Sequence, residues 1–132
     1  MTGKKIQKQG KRKRAVARAT LNEGKGKIKI NGQYLNSYSN SILRLRVSEP
    51  LTLAGEIANK IDLDVKVAGG GINGQADAVR LAIARALVQY EPKLKSVFED
   101  YDRLLLVADI RRKETCKPND SKARAKRQKS YR

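Results

Sequence analysis

Asp62-Leu63-Asp64-Val65-Lys66-Val67-Ala68-Gly69-Gly70-Gly71-Ile72-Asn73-Gly74-Gln75, with Ala76 to Tyr90 after it, is the stretch on which the fold turns. Asp62 to Val67 alternates polar and apolar residues, which puts Leu63, Val65 and Val67 on one face of a half-buried strand. Within Ala76 to Tyr90, Val79, Ile83, Ala86, Leu87 and Tyr90 recur at helical spacing, with Ala82 widening the stripe. Leu81, Ala84 and Val88 fall on the opposite side, so the spacing predicts a helix apolar on two faces and central to the fold. The glycines in between have two readings. They let backbone N–H groups converge at the helix N-terminus, where the dipole favours an anion, or they serve only a tight strand-to-helix turn. The run lacks both the Gly-Lys-Ser/Thr ending of a P-loop and the glycine spacing of a dinucleotide site.

On the N-terminal side, Ala15, Ala17, Ala19 and Leu21 share one face of a predicted strand over Ala15 to Leu21, with Val16, Arg18 and Thr20 on the other. The turn signal Asn22-Glu23-Gly24-Lys25-Gly26 leads into Lys27-Ile28-Lys29-Ile30, which completes a hairpin with its isoleucines inward. Tyr34 to Val47 has loosely helical spacing, and Ser48 is placed to cap a helix whose first turn holds Glu49 and Pro50. Leu51, Ala54, Ala58 and Ile61 form its apolar stripe. On the C-terminal side, Glu91-Pro92 ends the central helix and opens another carrying Leu94, Val97, Phe98 and Tyr101. Leu104 to Ala108 reads as a short buried strand. The predicted class is α+β, a two-layer sandwich of a four-stranded sheet with helices on one face.

Charge divides the chain more sharply than hydropathy does. The 132 residues hold 30 Lys plus Arg against 13 acids, a net of +17. Residues 1–18 contain eight basic residues and no acid, and residues 111–132 contain ten basic residues against two acids, so each end carries +8. The span between them holds twelve basic and eleven acidic residues and is almost neutral. The expected organisation is a basic N-terminal arm over 1–14, a globular domain over 15–109 and a basic C-terminal tail over 110–132. Both ends are expected to order only against opposite charge, because they are too polar to fold alone. A field of this size points to a polyanion.

Several chemistries find little footing. There is no histidine, so imidazole bases and His-ligated metals are absent, and the lone Cys116 has no internal disulfide partner. Asp62, Asp64, Glu99, Asp100 and Asp102 fall on predicted solvent faces or beside basic residues, as charge-balancing carboxylates do, so no enzyme, cofactor or metal site is expected. No apolar run approaches the roughly 20 residues that span a bilayer, and no signal-peptide core is present, which makes the expected location cytoplasmic with no membrane partner.

Nucleic-acid binding is where the residues converge, since each Lys or Arg that meets a phosphate releases a condensed counterion. In the N-terminal segment the candidates are Lys4, Lys5, Lys8, Lys11, Arg12, Lys13, Arg14 and Arg18. The loop offers Gly69, Gly70, Gly71, Asn73 and Gln75, and the central helix adds Arg80 and Arg85. The tail supplies Arg111, Arg112, Lys113, Lys117, Lys122, Arg124, Lys126 and Arg127. Lys27 and Lys29 could extend the footprint. Tyr131 is either a stacking ring for a base or sugar, or a terminal side chain without such a role.

Taken together, the chain resembles the small-subunit ribosomal protein nine family in its archaeal or eukaryotic form. The resemblance is carried by Gly10-Lys11-Arg12-Lys13-Arg14-Ala15-Val16-Ala17-Arg18-Ala19, by Gly26 to Gly32, by Gly69 to Ala76 with Arg80, Ala84, Arg85, Ala86 and Leu87, and by the ending Lys129-Ser130-Tyr131-Arg132. It implies a left-handed βαβ crossover, an exception to the usual handedness. It also implies a place in the head of the small subunit, with 16S-type rRNA and neighbouring head proteins as partners. In that family the tail tip approaches P-site tRNA, a role that would fall here to Lys129, Ser130, Tyr131 and Arg132. Bacterial members end in Ser-Lys-Arg, whereas this chain has Tyr131 in the penultimate place. The alternative is another RNA-binding factor of similar fold, such as the ribonuclease P protein, whose arginine-rich helical signature is not found in this sequence.

Overall fold

The computed structural model describes residues 3–131. Its one sheet has five strands in the order β1-β2-β5-β3-β4, formed by β1 (Ile6–Arg12), β2 (Ala15–Glu23), β3 (Ile28–Ile30), β4 (Gln33–Tyr34) and β5 (Ile61–Ala68). The β1–β2, β2–β5 and β3–β4 pairs are antiparallel, and β3–β5 is parallel. Three α-helices accompany it: α1 (Ser41–Ala54), α2 (Ile72–Tyr90) and α3 (Leu94–Tyr101). The parallel β3 and β5 are joined through α1, which makes a βαβ unit.

The alternation seen in the sequence becomes the two faces of the sheet. Ala15, Ala17, Ala19 and Leu21 of β2 and Ile61, Leu63, Val65 and Val67 of β5 are buried beneath the helices, while the intervening side chains face outward. The helix α2 is buried on both sides as its spacing predicted, lying across β1 and β2 on one side and against α1 and α3 on the other. Its small residues bring it very near the sheet. A Cβ at Gly10 of β1 would overlap the Ala78 carbonyl oxygen and stand 2.6 Å from the Ala82 nitrogen.

Several expectations are corrected. β2 and β3 do not form a hairpin, because β5 lies between them, antiparallel to β2 and parallel to β3, and Ile61 opens β5 instead of closing a helical stripe. The sheet has five strands, because Ile6–Arg12 pairs along its whole length with β2 and Gln33–Tyr34 adds a short edge. Most of the expected N-terminal arm is therefore structured: Ile6 and Gly10 point into the core while Lys8 and Lys11 reach solvent, so a basic strand is compatible with the sheet. Leu104 to Ala108 is not a strand. Asp102 accepts a hydrogen bond from the Leu104 N–H at 3.0 Å and turns Arg103–Leu105 into a 3-10 helix, with only Leu105 fully buried. Ser48 does not cap a helix; it lies inside α1, donating to the Arg44 carbonyl at 2.7 Å. The cap is Asn40, whose side chain accepts from the Leu43 N–H at 3.0 Å. Leu43, Val47, Pro50, Leu51 and Ala54 then form one buried stripe, with the proline ring serving as a core side chain.

At the other end of β3, Asn31 takes the place of a further peptide unit. Its Oδ1 accepts from the Val67 N–H at 2.9 Å and its Nδ2 donates to the Val67 carbonyl at 3.1 Å, which extends the parallel ladder by one step.

Candidate nucleic-acid interface

One end of the sheet gathers three segments that are far apart in sequence. The β1–β2 turn contributes Lys13 and Arg14, the β5–α2 loop contributes Gly70, Gly71, Ile72, Asn73 and Gly74, and the start of the C-terminal tail contributes Arg111, Arg112 and Lys113. Together with Arg12 they line an open groove of about 1050 Å³. Two contacts fasten the tail there: Arg112 donates from Nη1 to the Lys13 carbonyl at 2.7 Å, and Asp109, which receives Arg111 through both guanidinium and backbone N–H at 2.7–3.1 Å, pairs with Arg12 of β1 at 3.4 Å. The guanidinium and backbone N–H of Arg111, with Arg12 nearby, hold the Asp109 carboxyl well below the usual range. In return Asp109 raises the Arg111 pKa further.

The loop geometry explains the glycine run. Gly69 and Gly70 have φ of 81° and 65°, and a Cβ at Gly69 would stand 2.5 Å from the Arg14 carbonyl oxygen. The turn reading is therefore sufficient for those two. Gly71 is the N-cap of α2 with no side-chain hydrogen bond, and the first N–H groups of any helix lack intrahelical partners, so the positive end of the α2 dipole opens onto the groove. Gln75 folds back, its Nε2 donating to the Gly69 carbonyl at 3.1 Å, whereas Asn73 is exposed.

The basic residues expected to meet RNA do not all stand in this place. Lys4, Lys5, Lys8, Lys11, Lys13 and Arg14 are exposed, as is Arg18 on the outward face of β2. Arg80 and Arg85 are turned to internal work. The Arg80 side chain is only 12% exposed and bridges Glu49 at 2.6 Å and Asp102 at 3.0 Å. Burial pushes the Asp102 carboxyl up, but hydrogen bonds from the Leu104 N–H and Arg80 outweigh it and leave its pKa below the ordinary value. Arg85 donates to the carbonyls of Leu106 at 3.1 Å and Gln9 at 2.8 Å, tying the segment after α3 to the outer edge of β1. Arg12 lies between Asp77 at 3.7 Å and Asp109 at 3.4 Å, within a cleft of about 440 Å³ that also takes in Arg46, paired with Asp77 at 3.1 Å.

Along the tail, Glu114 receives Arg124 at 2.8 Å and Lys117 at 3.0 Å, which lowers its pKa. These pairs draw residues 114–124 into a bend, with Asn119 in a left-handed conformation. Lys122, Lys126, Arg127, Lys129, Ser130 and Tyr131 are exposed. Arg132 lies outside the described residues. The sequence did not single out Asp77 and Asp109 as partners of Arg12, or Arg46 as a second partner of Asp77. Asp77 lies beyond the first turn of α2, which holds no acid, so the helix dipole gives no signal for it.

Comparison with known proteins bears on the whole of this arrangement. The family described as ribosomal protein S9/S16 matches residues 10–132, nearly the full chain. The chain belongs to that family. It is 50% identical over 125 residues to the small ribosomal subunit protein uS9 of Pyrobaculum aerophilum, covering 93% of this chain and 88% of that protein. It is 50% identical over 125 residues to uS9 of Thermoplasma acidophilum, covering 93% and 97%. With uS9 of Methanothrix thermoacetophila it shares 47% identity over 131 residues, 98% of this chain and 99% of the other. The family is structural and non-enzymatic. No helix among the described residues is long and apolar enough to cross a membrane.

Proposed function

We propose that this chain is a structural constituent of the small ribosomal subunit that binds 16S-type rRNA in the subunit head and sends its C-terminal tail toward P-site tRNA. Family membership supports the first part. The observation that carries the RNA contact is the convergence of Lys13, Arg14, Arg112 and Lys113 with the N-terminus of α2 around one open groove. Residues at opposite ends of the chain join there, and the charge they concentrate suits a sugar-phosphate backbone.

In this reading Lys4, Lys5, Lys8, Lys11, Lys13, Arg14 and Arg18, with Gly69, Gly70, Gly71 and Asn73, face RNA from the body. Arg111, Arg112, Lys113, Lys117, Lys122, Arg124, Lys126 and Arg127 face it from the tail. Arg12, Arg80 and Arg85 instead hold the platform in shape, and Gln75 steadies the loop. Lys129, Ser130, Tyr131 and Arg132 form the tRNA-proximal tip. The globular domain over 15–109 takes in β1 as well, the tail over 110–132 departs from its fastening at Asp109 and Arg112, and the β3-α1-β5 crossover runs left-handed. Neighbouring head proteins are further partners, and the location is the cytoplasmic ribosome.

The test uses the full chain and a transcript of the head domain of 16S-type rRNA, titrated across a KCl series. The variant K13Q/R14Q/R112Q/K113Q is expected to flatten the dependence of log affinity on log salt by roughly one per lost phosphate contact. An unchanged slope would remove the groove from the interface. Separately, subunits whose chain lacks Ser130 to Arg132 should assemble normally and release P-site tRNA faster; unchanged retention would remove the tip role.

A further inference from the structure

The helices cover one side of the sheet and leave the other bare. On the bare side the register sets Gln9, Arg18 and Lys66 in one cross-strand row over β1, β2 and β5, and all three are exposed. Arg18 and Lys66 are direct neighbours of like charge, an arrangement that weakens a sheet. Neither joins an ion pair among the described residues. The next row toward the β1–β2 turn is Lys11, Val16 and Ala68, where two short side chains keep the surface low. The far end of the same face is acidic but already occupied: Asp62 accepts from the N–H groups of Lys25 and Lys27 at 2.9 Å, and Asp64 stands opposite Lys29.

The bare face is thus polar in the electrical sense. Its uncompensated positive end borders Lys13, Arg14 and the glycine loop, so it continues the groove around the end of the sheet.

We propose that this end of the open sheet face, centred on Arg18 and Lys66, is a second contact that carries the sugar-phosphate backbone of an RNA strand leaving the groove. The inference rests on the reading that the chain binds RNA and extends it from Arg18 across the open face to Lys66, which the sequence did not nominate. A like-charge pair held by strand register is weakened by mutual repulsion in the free protein and relieved when a phosphate sits between the two groups. The row holds no aromatic ring for a base to stack on, so the contact reads backbone rather than sequence.

The experiment compares wild type, R18Q/K66Q and the groove variant above, all as full chains, against the same head-domain transcript. R18Q/K66Q is expected to bind several-fold more weakly at 0.15 M KCl, with a salt slope shallower by about 2. Its melting temperature should not fall, because a repulsion has been removed. A wild type that fails to bind the transcript would remove the broader reading. Wild-type affinity and slope in R18Q/K66Q, alongside a weakened groove variant, would overturn this inference alone. So would an R18E/K66E chain that binds RNA normally yet fails to enter reconstituted subunits, an outcome that assigns the face to a protein neighbour.

Discussion

The guanidinium of Arg112 donates to the carbonyl oxygen of Lys13 across 2.7 Å, joining residues 99 positions apart. Beside it, Asp109 links Arg12 of β1 to Arg111 of the tail. The C-terminal tail therefore leaves the body from a fixed point and in company with the β1–β2 turn, instead of swinging from the last helix.

Asp109→Asn should loosen that departure without unfolding the body. With a spin label on Cys116, the only cysteine, and a second on an introduced cysteine at the exposed Gln7, the distance distribution is expected to broaden in the variant while α2 stays protected from hydrogen exchange. A distribution as narrow as that of the parent would mean that Asp109 does not position the tail.

Acid should act through the same carboxylate. The folded pKa of Asp109 lies below its unfolded value, so its stabilisation is complete above about pH 4 and drains away as pH falls from there toward the folded pKa. Urea midpoints taken at pH 5 and pH 3 should drop less in Asp109→Asn than in the parent. Equal drops would assign the acid sensitivity to other carboxylates, such as Asp62, whose pKa is lowered by N–H groups of Lys27 and Lys25.

Arg80→Ala should lower stability by about 1–3 kcal/mol, because Glu49 and Asp102 lose a shared cation, and both are exposed enough for water to offset part of the loss. RNA binding by the folded fraction should keep its salt slope. A flatter slope at unchanged stability would return Arg80 to the interface.

Gly10→Ala should cost roughly 1–3 kcal/mol, since the added methyl overlaps the backbone of α2 where neither element can retreat. Denaturant unfolding measures this directly; a neutral result would mean that the helix is free to shift on the sheet.

Asn31→Ala should cost about 1–3 kcal/mol by leaving both the N–H and the carbonyl of Val67 without their side-chain partner. Asn31→Asp keeps the acceptor and loses the donor, so it is expected to fall between the two. Exchange at the Val67 amide should rise more in Asn31→Ala than in Asn31→Asp.

Periodicity made the centre of the fold legible. The alternation in Asp62 to Val67 and the double stripe of α2 appear in the structure as the sequence states them. Three of the elements that escaped did so for different reasons. The strand β1 hides in a basic segment because only Ile6 and Gly10 face the core, too few to show a pattern. Leu104 to Ala108 has the composition of a strand, but Asp102, itself held by Arg80, diverts it into a turn. The start of α1 was misplaced because Ser48, Glu49 and Pro50 have the composition of a cap and first turn, whereas the loosely helical stretch before them belongs to the same helix, capped by Asn40. At the candidate interface, the identity of the basic residues was plain, but their division into outward and inward was not. That division depends on which carboxylates lie within reach, and Asp77 and Asp109 come close to Arg12 only through folding.

The outer edge of β1 and the turn after it are secured by Arg85 to Gln9, by Asp109 to Arg12 and by Arg112 to Lys13, all partners made in the second half of translation. The first strand to emerge from the synthesising ribosome is thus the last to be locked. Until residue 112 has been added, a nascent chain carries an incompletely secured β-edge, so premature termination before Arg112 leaves a product disposed to pair with other unfinished copies.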